Sequence, residues 1–242
     1  MPQCPRPIAG IVSGPDVLTS NERRCLNDRR HRQCRGADLF GKEWKMTSTI
    51  RRVVTGHDDK GRAVVVSDAA ATQFLRHERR ANVTLTNLWQ CDGVPAEYDG
   101  PAETCAGPLR LLPPPDGCVF RIVEFQPEDP DELANIDGRS AFAAMGAGDH
   151  VVEGARHPFM HRTDSVDFAI VLEGEIDMLL DEDEVHLSAG DVVIQRGTNH
   201  AWSNRGEARC LIAFVLVDGV TRWNAQGAER KGIPVRTGMH LS

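Results

Sequence analysis

Three side chains between residues 161 and 200 can hold a metal ion or move a proton, namely those of His161, Asp167 and His200. His161, Thr163 and Asp167 occupy alternate positions just before an apolar run, and His200 follows a glycine turn further along. On an extended strand, residues of the same parity point to one face. If that face looks into a β-barrel, His161 and Asp167 lie in a partly dry space, where a carboxylate is costly unless it pairs or binds a cation.

These residue types suit more than one kind of chemistry. Imidazole nitrogen and carboxylate oxygen together suit Fe, Mn, Ni, Zn or Co, and two histidines with one carboxylate leave positions open for substrate or dioxygen. Without a metal, His161 and Asp167 can serve as acid and base. In a third interpretation the histidines are hydrogen-bonded core residues, and Asp167 accepts hydrogen bonds from backbone or from Thr163. A threonine hydroxyl is a poor ligand for a borderline metal, so Thr163 favours the alternatives without one.

Four further residues are candidates for contacts with a substrate: Thr163, His157, Trp202 and Gln195. His157 shares the parity of His161 but is separated from it by a proline, which places it at the rim of the site. Trp202 shares the parity of His200 and either lines the cavity or packs in the core. Gln195 precedes a glycine turn, where its amide is available to a polar group of the substrate.

The elements that carry these residues are predicted to be short β-strands. Six apolar segments with Gly or Asp turns follow one another in the second half of the chain: VDFAIVLEG, EIDMLLD, EVHLSAG, DVVIQRG, HAWSN and CLIAFVLVD. Upstream, TIRRVVTG and RAVVVSD flank a hairpin loop, and ANVTLTNLWQ and CVFRIVEFQ alternate apolar with polar residues. The proline-rich segment between the last two is predicted to be a loop, and residues 140–158 a short helix or loop. This pattern is typical of an antiparallel sandwich or barrel.

The two ends of the chain differ from its middle. Residues 1–45 hold nine Lys and Arg against five Asp and Glu and show no sustained apolar period. We expect a flexible extension there, or a start assigned upstream of the true one at Met46. Residues 46–220 are expected to form one barrel with its N-terminal strands, and residues 221–242 a polar C-terminal tail.

Composition argues against several classes of partner. The formal net charge is −7, whereas binding of nucleic acid needs a basic face. No stretch approaches the roughly eighteen consecutive apolar residues of a membrane span. The seven cysteines form no C-x-x-C pair, and the first residues do not resemble a secretory signal, so we expect reduced thiols and a cytoplasmic protein.

The segment around His161 resembles the first motif of the cupin superfamily. That motif has His-x-His, three or four residues, Glu, six residues and Gly. His161, Thr163, Asp167 and Gly174 stand at these positions with the three-residue spacing. Thr163 therefore replaces the second histidine, and Asp167 replaces the glutamate.

The segment around His200 resembles the second cupin motif, which ends in Gly, two residues, His, three residues and Asn. Gly190 leads through DVVIQR to Gly197, His200 and Asn204. The usual proline is absent and the segment is one residue shorter. Together with RRVVTGHD near residue 51, these segments are similar to single-cupin proteins of bacteria and of fungal polyketide clusters, where members are described as oxidoreductases of salicylaldehyde-type pathways.

The resemblance implies an all-β fold, an antiparallel β-barrel of the jelly-roll type with a ligand cavity. It implies a divalent metal at His161, Asp167 and His200, or none if the altered motif does not bind one. The expected activity is that of a metal-dependent oxidoreductase on an aromatic or polyketide-derived small molecule. The alternative is a metal-free cupin that binds a small molecule or catalyses isomerisation or dehydration. Because the exposed edges of an open barrel are hazardous, we also expect a homodimer.

Overall fold

The structure, a computed structural model, describes residues 49–77 and 80–221. The predictions for residues 1–45 and for the tail after Thr221 fall on residues outside these ranges. Within the described ranges, no helix is long and apolar enough to cross a membrane.

The described residues form eleven strands and three short helical turns. The strands are β1 (Arg51–His57), β2 (Ala63–Ala70), β3 (Phe74–His77), β4 (Arg80–Cys91), β5 (Cys118–Phe125), β6 (Ser165–Glu173), β7 (Glu175–Leu179), β8 (Glu184–Ser188), β9 (Val192–Arg196), β10 (Ala201–Ser203) and β11 (Cys210–Asp218). The helical turns are α1 (Pro130–Leu133), α2 (Gly138–Ala143) and a 3-10 turn at Gly148–His150. All strand pairs are antiparallel, so the predicted all-β class is confirmed.

The strands form a sandwich of two larger sheets and a separate hairpin. One sheet has the order β3-β4-β5-β11-β6-β9, the other the order β10-β7-β8, and β1 pairs with β2. Residues of both larger sheets pack into one apolar core, for example Val123 and Phe214 from the first and Ile176 and Trp202 from the second. The jelly-roll prediction is confirmed as a two-sheet sandwich, although the described strands do not join into one closed sheet.

Strand β5 shows how the period-two pattern builds this core. Val119, Val123 and Phe125 are buried, and Arg121, which shares their parity, is buried with them. The alternate residue Phe120 faces outward and is 37% exposed. An arginine among inward-facing apolar residues is unusual, because a buried guanidinium needs compensation.

A second apolar cluster lies beside the sandwich, around the short helix α2. The turn begins at Asp137, whose carboxylate accepts a hydrogen bond from the backbone N–H of Arg139. Phe142 and Met145 pack there against Phe159. The segment predicted as a short helix or loop is therefore a helical turn, and it carries an aromatic ring toward the histidines.

Most predicted strands are confirmed by the structure. The TIRRVVTG and RAVVVSD segments form the hairpin β1–β2, and six strands follow residue 164 as expected. No strand was predicted for β3, which pairs with the start of β4. The proline-rich segment between β4 and β5 contains no strand.

The turn between β6 and β7 sends the chain from one sheet to the other. Gly174 occupies this turn with φ +76°, a conformation that favours glycine. A Cβ atom at this position would stand 2.3 Å from the carbonyl oxygen of Arg209. Two separate constraints thus require glycine at this position: the positive φ, and the close approach of the chain at the start of β11.

We predict that Gly174→Ala destabilises the fold far more than a glycine replacement with strain alone. Gly61 is the matched control, with φ +71° and no atom within 4 Å of an added Cβ. Gly61→Ala is expected to cost about 1–2 kcal/mol, and Gly174→Ala at least about 2 kcal/mol more because backbone must also move. Equal urea midpoints for the two variants would contradict this interpretation.

Candidate active site

His161 and His200 are joined directly through their backbones. The N–H of His161 donates to the carbonyl oxygen of His200 at 2.9 Å, and the N–H of His200 donates to the carbonyl oxygen of His161 at 2.9 Å. A residue pair that exchanges both hydrogen bonds presents its two side chains on the same face. The imidazole rings accordingly lie 4.3 Å apart between centroids.

The Nδ1 atom of each imidazole ring is hydrogen-bonded to a backbone carbonyl oxygen. Nδ1 of His161 lies 3.0 Å from the carbonyl oxygen of Phe159, and Nδ1 of His200 lies 3.0 Å from that of Thr198. A carbonyl oxygen only accepts, so both Nδ1 atoms carry the proton and donate. Each Nε2 is then left as a lone-pair acceptor for a substrate or a metal ion.

Burial keeps both imidazoles neutral. It lowers the pKa of His200 to about 4, although the bond to Thr198 acts in the opposite direction. The pKa of His161 is held well below its ordinary value, mainly by burial and then by the adjacent His200 and the guanidinium of Arg80. At neutral pH the pair therefore offers two hydrogen-bond acceptors without adding positive charge.

Asp167 lies on β6 and is buried among polar neighbours. Ser165 Oγ is 2.6 Å from Asp167 Oδ1 and 2.8 Å from Thr163 Oγ1. Because an ionised carboxylate only accepts, Ser165 donates to Asp167 and the Thr163 hydroxyl donates to Ser165. Gln195 stands opposite Asp167 on β9.

Burial is the main influence on the Asp167 carboxyl. It raises the pKa of Asp167 to about 6, while the hydrogen bond from Ser165, the charge of Arg121 and the nearby Gln195 amide oppose that rise. A carboxyl group with this pKa is mostly ionised at neutral pH but takes up a proton readily.

Five of the seven predicted site residues line one interior cavity of about 70 Å³. Its polar lining comprises His161, Thr163, Asp167, His200, Arg80 and Arg121. Phe142, Phe159, Trp202 and Phe214 supply aromatic wall. This volume is several times that needed by one water molecule, so the cavity accommodates a small ligand. A wider groove of about 790 Å³ runs along β1, and none of the predicted site residues lines it.

His161, Thr163 and Asp167, which share parity in the sequence, all line this cavity, but they do not all lie on one strand. The strand predicted to carry all three begins at Ser165. His161 instead forms an isolated bridge with His200 and with Val151. All three side chains nevertheless line the cavity, and alternate residues from 161 to 167 are buried.

The predicted metal-ligand set does not form a coordination group. Among residues 49–77 and 80–221, no three His, Cys, Asp or Glu side chains are grouped so that they could hold a metal ion. His161 and His200 are adjacent, but Asp167 does not join them as a third ligand. The residues present therefore do not fit a three-ligand metal centre in this arrangement.

His157 was predicted at the rim of the site, and this prediction is wrong. The side chain is buried, its Nδ1 accepts from the backbone N–H of Phe159, and its Nε2 lies 3.4 Å from Glu128. Ser203 donates to the same carboxylate. His157 thus belongs to an internal polar cluster with Glu128 and Ser203, outside the cavity lining.

The other two candidates for substrate contacts, Trp202 and Gln195, lie in different surroundings. Trp202 lines the cavity and packs edge-on against Phe214, with ring centroids 5.4 Å apart. Gln195 is buried behind Asp167, and neither its amide nitrogen nor its oxygen has a hydrogen-bond partner among the described residues. Gln195 faces Asp167 across the β6–β9 pair and does not line the cavity.

Two cavity residues, Arg80 and Arg121, were not predicted. A signal for Arg121 existed, since it shares the parity of the apolar residues of β5. Arg80 has no such signal, because its parity is opposite to that of the neighbouring inward residues Val83 and Leu85 on β4.

We predict that His200 stays neutral to about pH 4 with the proton on Nδ1. Nitrogen-detected NMR titration measures both properties, and exposed His186 is the control because Asp177 raises its pKa above the ordinary value. Since the pKa of His200 is lower in the folded than in the unfolded chain, its contribution to stability is complete above pH 6.5 and is lost toward pH 4. The loss is on the order of 3 kcal/mol. Titration of His200 near 6.5, or a proton on Nε2, would contradict the site geometry.

The comparisons with known proteins agree with this architecture. Residues 145–217 match the family model described as a cupin domain. The chain is 34% identical to the phomopsin biosynthesis cluster protein C' of Diaporthe leptostromiformis, over 68% of this chain and 75% of that one. It is 46% identical to a cupin-domain-containing oxidoreductase of Hypocrea virens, over 70% and 76% of the two chains. With a similar protein of Aspergillus ruber, the identity is 28% over 71% and 73%. The chain therefore belongs to the cupin superfamily, and its described residues hold one cupin domain.

Proposed function

We propose that this protein is an enzyme of secondary metabolism that converts a small organic molecule inside the cavity. The names of its relatives support this setting, since they include a biosynthesis cluster protein and two cupin-domain-containing oxidoreductases. The single observation that carries the proposal is the convergence of Asp167, His161 and His200 on one buried cavity.

Asp167 is the proposed proton-transfer group. Its Oδ1 is engaged by Ser165, so Oδ2 is the oxygen that exchanges a proton with the substrate. A pKa of about 6 lies close enough to neutral pH for the group to act as base and then as acid. Gln195 and Arg121 limit the cost of the ionised form.

The two imidazoles are proposed to orient the substrate. Their Nδ1 atoms are held by backbone carbonyls, so the rings cannot rotate without losing a buried hydrogen bond. Their Nε2 atoms accept hydrogen bonds from hydroxyl or amide groups of the substrate. Phe142 and Trp202 flank the rings and exclude water from that side.

This set of groups suits isomerisation or dehydration of the substrate. In isomerisation, Asp167 removes a proton from one atom of the substrate and returns it to another. In dehydration, the proton removed by Asp167 leaves with the hydroxyl group as water. Both reactions balance without an external oxidant.

A metal-dependent oxidoreductase acting on an aromatic or polyketide-derived metabolite is the second candidate. It is favoured by the oxidoreductase names of two relatives and by the adjacent Nε2 atoms of His161 and His200. His161 and His200 would hold such a metal through their Nε2 atoms, and it would supply Lewis-acid or dioxygen chemistry.

The test uses a metabolite extract from a producing strain that lacks this protein. We predict that the purified chain converts at least one component, as followed by mass spectrometry, and that Asp167→Asn lowers the rate by at least about 100-fold. His186→Gln, on an exposed strand away from the cavity, is the control and is expected to match the wild type. Dialysis against a chelator is expected to leave the rate unchanged, and elemental analysis verifies that the dialysed protein is free of metal.

Each alternative result has a separate meaning. Loss of activity on chelation, with metal content lost in His200→Ala, would establish the second candidate. Full activity of Asp167→Asn would refute proton transfer by this residue. An extract left unchanged by the wild-type protein would refute the enzymatic function.

We also propose that the chain forms a homodimer through the outer face of the six-stranded sheet. Ile194, Phe168, Val215 and Phe120 form one row across four adjacent strands through their pairing register. Phe168 is 41% exposed and Ile194 is 52% exposed. A contiguous apolar row of this kind is typical of an interaction surface, and a second copy covers it with the same row.

We predict that Phe168→Glu converts the dimer to a monomer, because it buries an unpaired carboxylate in the interface. Phe74→Glu is the matched control, since Phe74 is also exposed but lies on the edge strand β3 outside the row. Sedimentation velocity at micromolar concentration measures both. A monomeric wild type, or equal dissociation by the two variants, would contradict this interface.

A further inference from the structure

Two arginines lie inside the cavity beside the groups that perform the chemistry. Arg121, on β5, is only 2% exposed, and Arg80 stands at the start of β4. Both line the same space as His161 and Asp167. The cavity thus contains two guanidinium groups, and the proposed proton transfer uses only the charge of Arg121 on Asp167.

Neither guanidinium is fully satisfied by the residues that the structure describes. The Nε atom of each is buried without a hydrogen-bond partner among those residues. Arg121 Nη2 donates to the carbonyl oxygen of Arg110 at 2.9 Å, and Arg80 lies 3.7 Å above the centre of the Phe159 ring. These contacts position the side chains, but they provide no negative charge.

The acidic groups near the arginines are engaged elsewhere. The negative charge of Glu128 favours the ionised form of Arg80. The Glu128 carboxylate itself, however, contacts His157 and Ser203. Asp167 acts on Arg121 through its charge but forms no ion pair with it among the described contacts. Among the described residues neither guanidinium has a close counter-ion, and a buried cation so placed is strongly unfavourable unless an anion joins it.

The rest of the lining defines what else the ligand carries. Apart from the six polar residues, the wall is aliphatic and aromatic: Val83, Leu85, Leu111, Val123, Phe125, Phe142, Met145, Phe159, Trp202, Phe214 and Leu216. A ligand that matches this wall has an apolar body and one charged end. The cavity volume of about 70 Å³ limits the ligand to a small molecule.

We propose that the cavity binds a small organic acid, with its carboxylate held by the guanidinium of Arg121 and its apolar body against the aromatic wall. Arg80 supplies a second positive charge beside His161. This proposal rests on the proposed function, since it assigns the substrate class of the same site. The planar fork of arginine matches a carboxylate with two parallel hydrogen bonds.

Arg121 and Asp167 face the same interior, one strand apart. Arg121 pairs with Phe214 of β11, and Asp167 pairs with Leu216 of the same strand. A carboxylate on Arg121 therefore brings the adjoining part of the substrate toward the proton-transfer group. Arg121 acts as the residue that positions the substrate and selects it by charge.

The experiment compares acids with their neutral amides. Acetate, propionate and benzoate, and then acetamide, propionamide and benzamide, are titrated into the full chain while the His200 and Trp202 side-chain NMR signals are followed. We expect at least one acid to bind at least about tenfold more tightly than its amide, because only the acid carries the charge. Arg121→Gln is expected to remove this difference, and Arg121→Lys to restore part of it.

Arg76→Gln is the control, because Arg76 donates to the carbonyl oxygen of Ala81 outside the cavity. It is expected to keep the preference for acids. Thermal unfolding checks that each variant is folded. If Arg121→Gln does not fold, Arg80→Gln provides a second test of the positive charge. Equal binding of acids and amides at the cavity would refute the substrate class while leaving the enzymatic function intact. Absence of binding by the whole acid series would refute the proposal, and the extract assay would then decide the function separately.

Discussion

The pair of backbone hydrogen bonds between His161 and His200 is the interaction on which the site depends. It joins the segment before β6 to the segment before β10, and it sets both imidazoles on one face. The carbonyls of Phe159 and Thr198 then fix the ring orientation. The β6–β9 pairing, with Val166 opposite Arg196, brings the two segments together, and the His161–His200 pair sets the two rings in contact at the cavity wall.

The site maintains groups that are costly to bury. Two guanidinium groups, one carboxyl group and two neutral imidazoles share a largely apolar interior. Burial raises the pKa of Asp167 to about 6, so its contribution to stability is complete below the unfolded value near 3.8 and is lost as pH rises through 6. A protein that keeps such groups in its core sacrifices stability for chemistry, which is why we assign function to this cavity rather than to the wider groove along β1.

The sequence alone predicted the fold and singled out five residues that line the cavity, for reasons that particular residues make clear. Parity grouped His161, Thr163 and Asp167, and alternate residues from 161 to 167 are buried in the structure. Metal coordination depends on distances between side chains, which parity does not define, and no three-ligand group forms among the described residues. The burial of His157 depends on Glu128, and the position of Arg80 depends on strand register, so both required the folded chain. Arg121 was visible in principle, as a charged residue within an apolar period.

Hydrogen exchange at the backbone amides of His161 and His200 tests the central claim most directly. If the two residues exchange both hydrogen bonds as described, their amides are protected to the same degree as that of Ile212 in the central strand β11. Rapid exchange at either histidine, as fast as at Gly100 in the exposed loop after β4, would contradict the pairing and the active site built on it.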